Sequence, residues 1–252
     1  MRLIQGDCLK MMQCLHDEGV QVDAIITDLP YGVTDNQWDN IIPFNEMWEC
    51  IKHIRKDKKT PVVFFAQQPF SSKLVMSKLK WYRHEWIYQK RVGSNFGIVK
   101  YQPFKEHEEI LVFSEKTPYY YPIKEERKGG GLERINYEYN YPTKTDNLSD
   151  SLKKYAPKQQ EKLRHPGTVR YYNNRSKGNV GLHPNQKPVE LLEYLVQTYT
   201  KENDTVLDFT MGSGTCGVAC LNTNRDFIGI ELEKKYYDIA TERLKNYQTR
   251  LI

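Results

Sequence analysis

The stretch "DFTMGSGTCG", residues 208–217, constrains this chain more than any other. It follows the short apolar run "DTVLDF" and opens the small-residue run "GTCGVACLNT", so it reads as strand, glycine loop and helix. Gly212, Gly214 and Gly217 have the G-x-G-x-x-G spacing that lets a nucleotide approach the backbone where a helix begins. Glu231 falls at the end of the next strand, "DFIGIEL", about where an acid reaches ribose hydroxyls. An adenosine-containing cofactor follows from the two together. A dinucleotide fingerprint normally begins its sheet. Here only that one strand and the helix "EKKYYDIATERLKNY" come after the loop. The other strands must therefore come from the beginning of the chain, a permutation that domains tolerate because their termini lie at the surface.

Residues 1–116 supply what is missing. "VDAIIT", "PVVFFAQ", "HEWIYQK" and "EEILVFS" read as strands and "FSSKLVMSKL" as a helix. After 183 the same rhythm resumes with "KPVELLEYLVQTYT", an amphipathic helix carrying Leu191, Leu192 and Leu195 on one side. In an open α/β sheet, ligands sit beyond the carboxyl ends of strands, near the switch point. Asp28, Asp208 and Glu231 should then share one crevice. Asp28 opens "DLPYG", where Pro30 removes a backbone donor and holds Leu29 extended. By themselves these residues also suit an ordinary strand-to-loop turn.

The intervening segment, 117–182, differs in kind. It holds 13 Lys and Arg against 7 Asp and Glu, with nine of the 18 tyrosines. Basic residues mixed with aromatics suit a phosphate backbone and exposed bases, and the alternative is a solvated insertion. Glycine, proline and asparagine interrupt it in "KGGG" and "YYNNRSKGN", so loops with short elements are expected. The domains are thus 1–116, 117–182 and 183–252. No apolar run reaches the ~20 residues of a membrane span, and the start lacks a signal-peptide core, so a cytoplasmic location is expected. Five cysteines without a C-x-x-C pair suggest neither a zinc site nor a disulfide framework, and no metal is expected.

The "DLPYG" and "DFTMGSGT" motifs, in this order and with "HPNQKP" between them, resemble the amino-group DNA methyltransferases of the β class. "YGVTDNQWDNIIPFNEMWE" and "HPNQKPVELLEYLVQTYT" are similar to phage and prophage adenine methyltransferases. The resemblance covers about 185 residues of the two flanks and is silent across most of the insertion. It implies an α/β fold: a circularly permuted Rossmann-like S-adenosylmethionine-dependent methyltransferase sheet, with an irregular target-recognition insertion. It further implies double-stranded DNA as partner, in a bacterial or phage-infected cell, with adenine N6 of a flipped-out base as acceptor. Members are often homodimers, but nothing in this sequence marks an interface.

Residue roles follow from the same resemblance. Asp28 and the Leu29 carbonyl would accept the two N–H bonds of the target amino group, while Pro30 shapes the turn and Tyr31 stacks on the base. Asp7, Cys8, Asp28, Asp208, Phe209, Gly212, Ser213, Gly214, Thr215, Glu231 and Leu232 would surround the cofactor. His183, Asn185 and Lys187 would approach its methionine carboxylate. The DNA grip, read from the basic and aromatic composition of the insertion and not from the resemblance, would come from Arg127, Lys128, Arg134, Lys153, Lys154, Arg164, Arg170, Arg175 and Lys177. The chain departs from the commoner pattern at Leu29, where proline is usual, and at Thr210 and Cys216. A methyltransferase acting on cytosine N4, RNA or a protein amide, a catalytically silent nucleic-acid-binding paralogue, and an NAD-dependent oxidoreductase are the competing readings. The acid at position 28 favours adenine, and the basic insertion has no place in the oxidoreductase.

Overall fold

The computed structural model describes residues 1–32, 40–127, 162–174 and 186–251. Two compact units emerge, Met1–Tyr121 with Thr168–Ile252, and Pro122–Gly167. In the larger unit, chain order runs β1 (Arg2–Gln5), α1 (Cys8–Asp17), β2 (Ala24–Asp28), α2 (Phe44–Ile54), β3 (Val62–Ala66), α3 (Phe70–Ser77), β4 (Tyr82–Lys90) and β5 (His107–Phe113). The smaller unit contributes β6 (Glu125–Glu126) and β7 (Leu163–Arg164), a short antiparallel pair. The larger unit then resumes with β8 (Val169–Tyr172), α4 (Val189–Tyr199), β9 (Thr205–Asp208), α5 (Thr215–Asn222), β10 (Asp226–Glu231) and α6 (Lys234–Leu251).

One eight-stranded sheet has the order β1-β10-β9-β2-β3-β5-β4-β8. β1 pairs in parallel with β10, Gln5 opposite Glu231, so the first strand of the chain completes a sheet begun by its last. β9 and β2 are parallel neighbours, and from them the connections run outward in opposite directions. That is the switch point, and it brings Asp208 and Asp28 to the same edge. β5 is antiparallel to both β3 and β4, so β4 ends at this edge too.

The sequence places strands where β-branched and aromatic residues run together, as in "VVFFA" of β3, every residue of which is buried. α1, α2 and α3 cover one face with Met12, Leu15, Met47, Trp48, Ile51, Phe70 and Leu74, packed on Ile25, Phe64, Leu111 and Phe113. Trp48 meets Phe64, Trp81 and Phe113 at ring separations of 5.6, 5.8 and 5.2 Å. α4 buries Leu191, Leu192, Tyr194, Leu195, Val196 and Tyr199, a wider apolar surface than the one-sided stripe its leucines suggest.

The boundaries of the insertion shift. Residues 169–172, expected within the irregular 117–182 segment, return to the main sheet as its edge strand, pairing in parallel with β4 from Ile87↔Val169 to Lys90↔Tyr172. "VRYY" is β-branched and aromatic, and it alternates exposed with half-buried positions, so an available edge accepts it.

Candidate active site

A cleft of about 480 Å³ opens at the switch point, lined by Asp7, Asp28, Pro30, Tyr31, Phe209, Gly212 and Glu231 among others. Its volume is that of pockets that take cofactor-sized molecules, ~300–1,000 Å³.

Asp28 is the last residue of β2 and stands at the cleft. Its two carboxylate oxygens are held from opposite sides. The Tyr31 hydroxyl donates to Oδ1 at 2.7 Å, and the Lys187 ammonium lies 2.5 Å from Oδ2. Tyr31 itself rests against Phe70, with ring centroids 5.1 Å apart. Leu29 points into the core below. Its buried side chain anchors the turn by packing, where a proline at that position would anchor it through a fixed φ.

Lys187 also reaches Glu108 Oε2 at 3.2 Å, and Glu108 in turn pairs with Lys90. The result is a row of alternating charge, Lys90–Glu108–Lys187–Asp28, largely buried and opening to the cleft at Asp28. Burial would push the Lys187 ammonium down, but the carboxylates of Asp28 and Glu108 outweigh it and hold the group above the ordinary lysine range. Burial likewise opposes ionisation of Glu108, and Lys187 and Lys90 overcome it, leaving its pKa below the usual value. Lys187, assigned by family resemblance to a cofactor carboxylate, is here engaged with two protein carboxylates. Glu108 and Lys90 were not singled out from sequence. A buried acid beside lysines is legible only after β5 and β4 are paired.

Three more contacts join Asp28 to the glycine loop. Thr27 Oγ1 lies 2.7 Å from Asp208 Oδ1 and 2.6 Å from Thr210 Oγ1, and Thr210 Oγ1 lies 2.9 Å from the Asp28 carbonyl oxygen. Thr27 donates to Asp208 Oδ1 and Thr210 to the Asp28 carbonyl, with the two hydroxyl oxygens in contact between them. Burial pushes the Asp208 carboxyl up to about 7, against the Thr27 hydroxyl and the Thr210 N–H that favour its ionised form. The departure at Thr210 thus supplies a tie between the two motifs.

Glu231 closes the other side of the cleft. Its Oε2 accepts the Gly212 N–H at 2.8 Å and its Oε1 the Glu233 N–H at 2.9 Å, which fixes the carboxylate at the end of β10. Burial still raises its pKa against those donors. Asp7 accepts the Lys10 N–H at 3.0 Å, capping α1, and lines the cleft beside Cys8. The Cys8 thiol is pushed up to about 12 by burial and by Asp7, and the buried Cys216 thiol is also raised, so neither is a thiolate nucleophile.

Of the residues expected around a cofactor, Asp7, Cys8, Asp28, Lys187, Asp208, Phe209, Gly212, Ser213, Thr215, Glu231 and Leu232 line the cleft. Gly214 does not. Its φ of +76° forms the turn into α5, and a Cβ there would lie 3.1 Å from Ala240. His183 and Asn185 lie outside the described residues, as do Lys128, Arg134, Lys153, Lys154, Arg175 and Lys177. Arg164, in the smaller unit, is exposed and pairs with Glu125 at 3.2 Å. Arg127 stands beside it and donates its backbone N–H to the Lys162 carbonyl. Arg170 belongs to β8 of the main sheet, its guanidinium 4.2 Å from the Tyr194 ring centroid.

The DNA methylase family profile, covering the N6 and N4 enzymes, matches residues 22–242. This chain belongs to that family. Members transfer methyl groups to amino nitrogens of DNA from S-adenosylmethionine. The Type II methyltransferase M.HpaI of Haemophilus parainfluenzae is 30% identical over 258 residues, which cover 96% of this chain and 74% of that protein. Among solved structures, the M1.HpyAVI–SAM complex superposes with a TM-score of 0.66 at 23% identity, covering 96% of this chain and 98% of the other. The cytosine-N4-specific PvuII DNA methyltransferase gives 0.62 at 13% identity, over 99% and 91%. Both establish the fold. No described helix is long and apolar enough to cross a membrane, and no group of three or more His, Cys, Asp or Glu among the described residues could hold a metal ion.

Proposed function

We propose that this chain methylates adenine N6 in double-stranded DNA, using S-adenosylmethionine. The observation that carries the reading is the oriented carboxylate of Asp28 at the cleft, in a "DLPYG" turn directly bonded to the glycine loop. The cleft also fits the cofactor. Glu231 has carboxylate lone pairs left for ribose hydroxyls after accepting two backbone N–H groups. Phe209, Met211 and Leu232 offer apolar surface to an adenine ring, and the acids Asp7, Asp28 and Glu231 suit a cationic sulfonium.

An exocyclic amino nitrogen is a poor nucleophile because its lone pair is delocalised into the ring. The Asp28 carboxylate and the Leu29 carbonyl accept its two N–H bonds as the nitrogen becomes tetrahedral, which stabilises positive charge that develops mainly in the transition state. Tyr31 and Lys187 keep the carboxylate from rotating away. Bound S-adenosylmethionine would supply an electrophilic methyl, its S–CH3 bond breaking with the electron pair left on a thioether sulfur; the amino nitrogen that takes the methyl then gives one proton to solvent. The target base leaves the duplex to reach this site, at a cost of a few kcal/mol, and stacking on Tyr31 offsets part of it. An acid at position 28 is the feature that favours adenine over cytosine.

The test is incubation of unmethylated genomic DNA with labelled S-adenosylmethionine, followed by nucleoside mass analysis and single-molecule sequencing. N6-methyladenine at one short motif is expected. N4-methylcytosine would overturn the choice of base, and measured cofactor binding without transfer would overturn the reaction. Asp28→Ala should keep most of its cofactor binding and transfer no methyl groups; activity in that variant would remove the role given to Asp28.

A further inference from the structure

The insertion is not the only surface suited to a duplex. Four of the exposed large apolar side chains among the described residues, Phe96, Ile98, Val99 and Tyr101, crowd into six positions of the loop 91–106, and Tyr101 is 88% exposed. Scattered exposed apolar residues are ordinary, but a cluster on an ordered loop marks a contact surface.

The loop is ordered from within. Asn95 donates to the Pro103 carbonyl at 3.0 Å and accepts from the Lys105 N–H at 2.7 Å, and Phe96 packs edge-on against Phe104 at 4.8 Å. Asn174 clamps the base of the loop, accepting from the Val92 N–H at 3.1 Å and donating to the Val92 carbonyl at 2.9 Å. A turn of 3₁₀ helix over Phe96–Ile98 carries the tip. β4 and β5 run antiparallel, so the loop leaves and re-enters the sheet at the edge where Asp28 stands. Its stem residues Lys90 and Ser94 line the same cleft. Arg91, Lys100 and Lys105 stand against Glu106, with Lys100 between Val99 and Tyr101 at the tip.

We propose that this loop is a wedge that enters the DNA duplex beside the target base and fills the stack the base vacates. The inference rests on the DNA-methylation reading above. Apolar side chains inserted at a base step keep a duplex open, and a neighbouring lysine answers the phosphates. A protein partner would bury ~800 Å² on each side, far more than six residues at a loop tip offer.

The experiment compares the parent, Tyr101→Ala and Tyr101→Phe on two short duplexes carrying the motif returned by genomic sequencing. In one the target base is paired; in the other it stands opposite an abasic position. Tyr101→Ala should methylate the paired duplex ~10- to 100-fold more slowly than the parent, by loss of one stacking contact. It should match the parent on the unpaired duplex and in S-adenosylmethionine binding, and Tyr101→Phe should restore the paired rate. Parent-like rates on the paired duplex would overturn the wedge. An equal loss on both duplexes would overturn it too, because the loop would then only grip DNA. Unchanged rates with a lost self-association would assign the tip to a second copy of the chain instead. A parent that binds cofactor yet methylates neither duplex would instead overturn the function itself, and the wedge with it.

Discussion

Asp208→Asn should stabilise the protein at neutral and alkaline pH and lose that advantage in acid. Asp208 is buried at the carboxyl end of β9, and burial moves its carboxyl from 3.8 to about 7. The folded state therefore holds a proton that the unfolded chain releases near pH 4. Stability from this group is complete below that point and is lost as pH rises through 7, at about 1.36 kcal/mol per unit. The whole loss approaches ~4 kcal/mol, of which ~3 kcal/mol falls between pH 5 and pH 8. An asparagine cannot ionise and keeps an oxygen for the Thr27 hydroxyl and the Thr210 N–H, which lie 2.7 and 3.2 Å from Oδ1. Its melting temperature minus the parent's should then rise by roughly 6–12 °C from pH 5 to pH 8, at ~2–4 °C per kcal/mol for a chain of this size. Calorimetry of both proteins without cofactor, in matched salt, reads that difference directly, and other titrating groups cancel between them. Parallel melting curves across the range would refute the raised carboxyl of Asp208.

Other substitutions probe the remaining physics. Glu108→Gln removes the carboxylate between Lys90 and Lys187, and unfolding in urea should show a loss of about 3–5 kcal/mol; a neutral result would mean the buried row is not a charge network. Gly217→Ala places a Cβ 2.8 Å from the Phe227 ring and 2.9 Å from Leu244, so those side chains or α5 itself must shift, at ~1–3 kcal/mol in the same assay. An unchanged midpoint would show that the space is there. Arg164→Ala, at an exposed position, should leave the melting temperature alone but weaken DNA binding and lower the salt slope by about one. Affinity curves that overlay the parent's across salt would remove Arg164 from the DNA grip.

The strands carrying the site were legible because each is a short β-branched run that ends in an acid or a glycine turn. Local patterning therefore placed Asp28, Asp208 and Glu231 at strand ends before any pairing was known. β8 is not legible in the sequence for the opposite reason. Four residues inside a basic, tyrosine-rich segment carry too little periodicity, and only the open edge of β4 makes them a strand. The glycines illustrate the same divide. Their spacing announced a nucleotide loop, but Gly214 serves backbone conformation and helix packing, a distinction that depends on where α6 lies.

By itself, then, the sequence determined the α/β class, the permuted order of its parts and the acids of the cleft, since these depend on short-range pattern and on the single fact that a late glycine loop needs an early sheet. Tertiary structure alone decided what surrounds those acids. Lys90 and Glu108 lie on β4 and β5 and Lys187 just ahead of α4, and Thr27 and Thr210 are 183 residues apart. Charge pairing and proton sharing act over a few ångströms of space, and no spacing along a chain records which distant side chains will be brought within that reach.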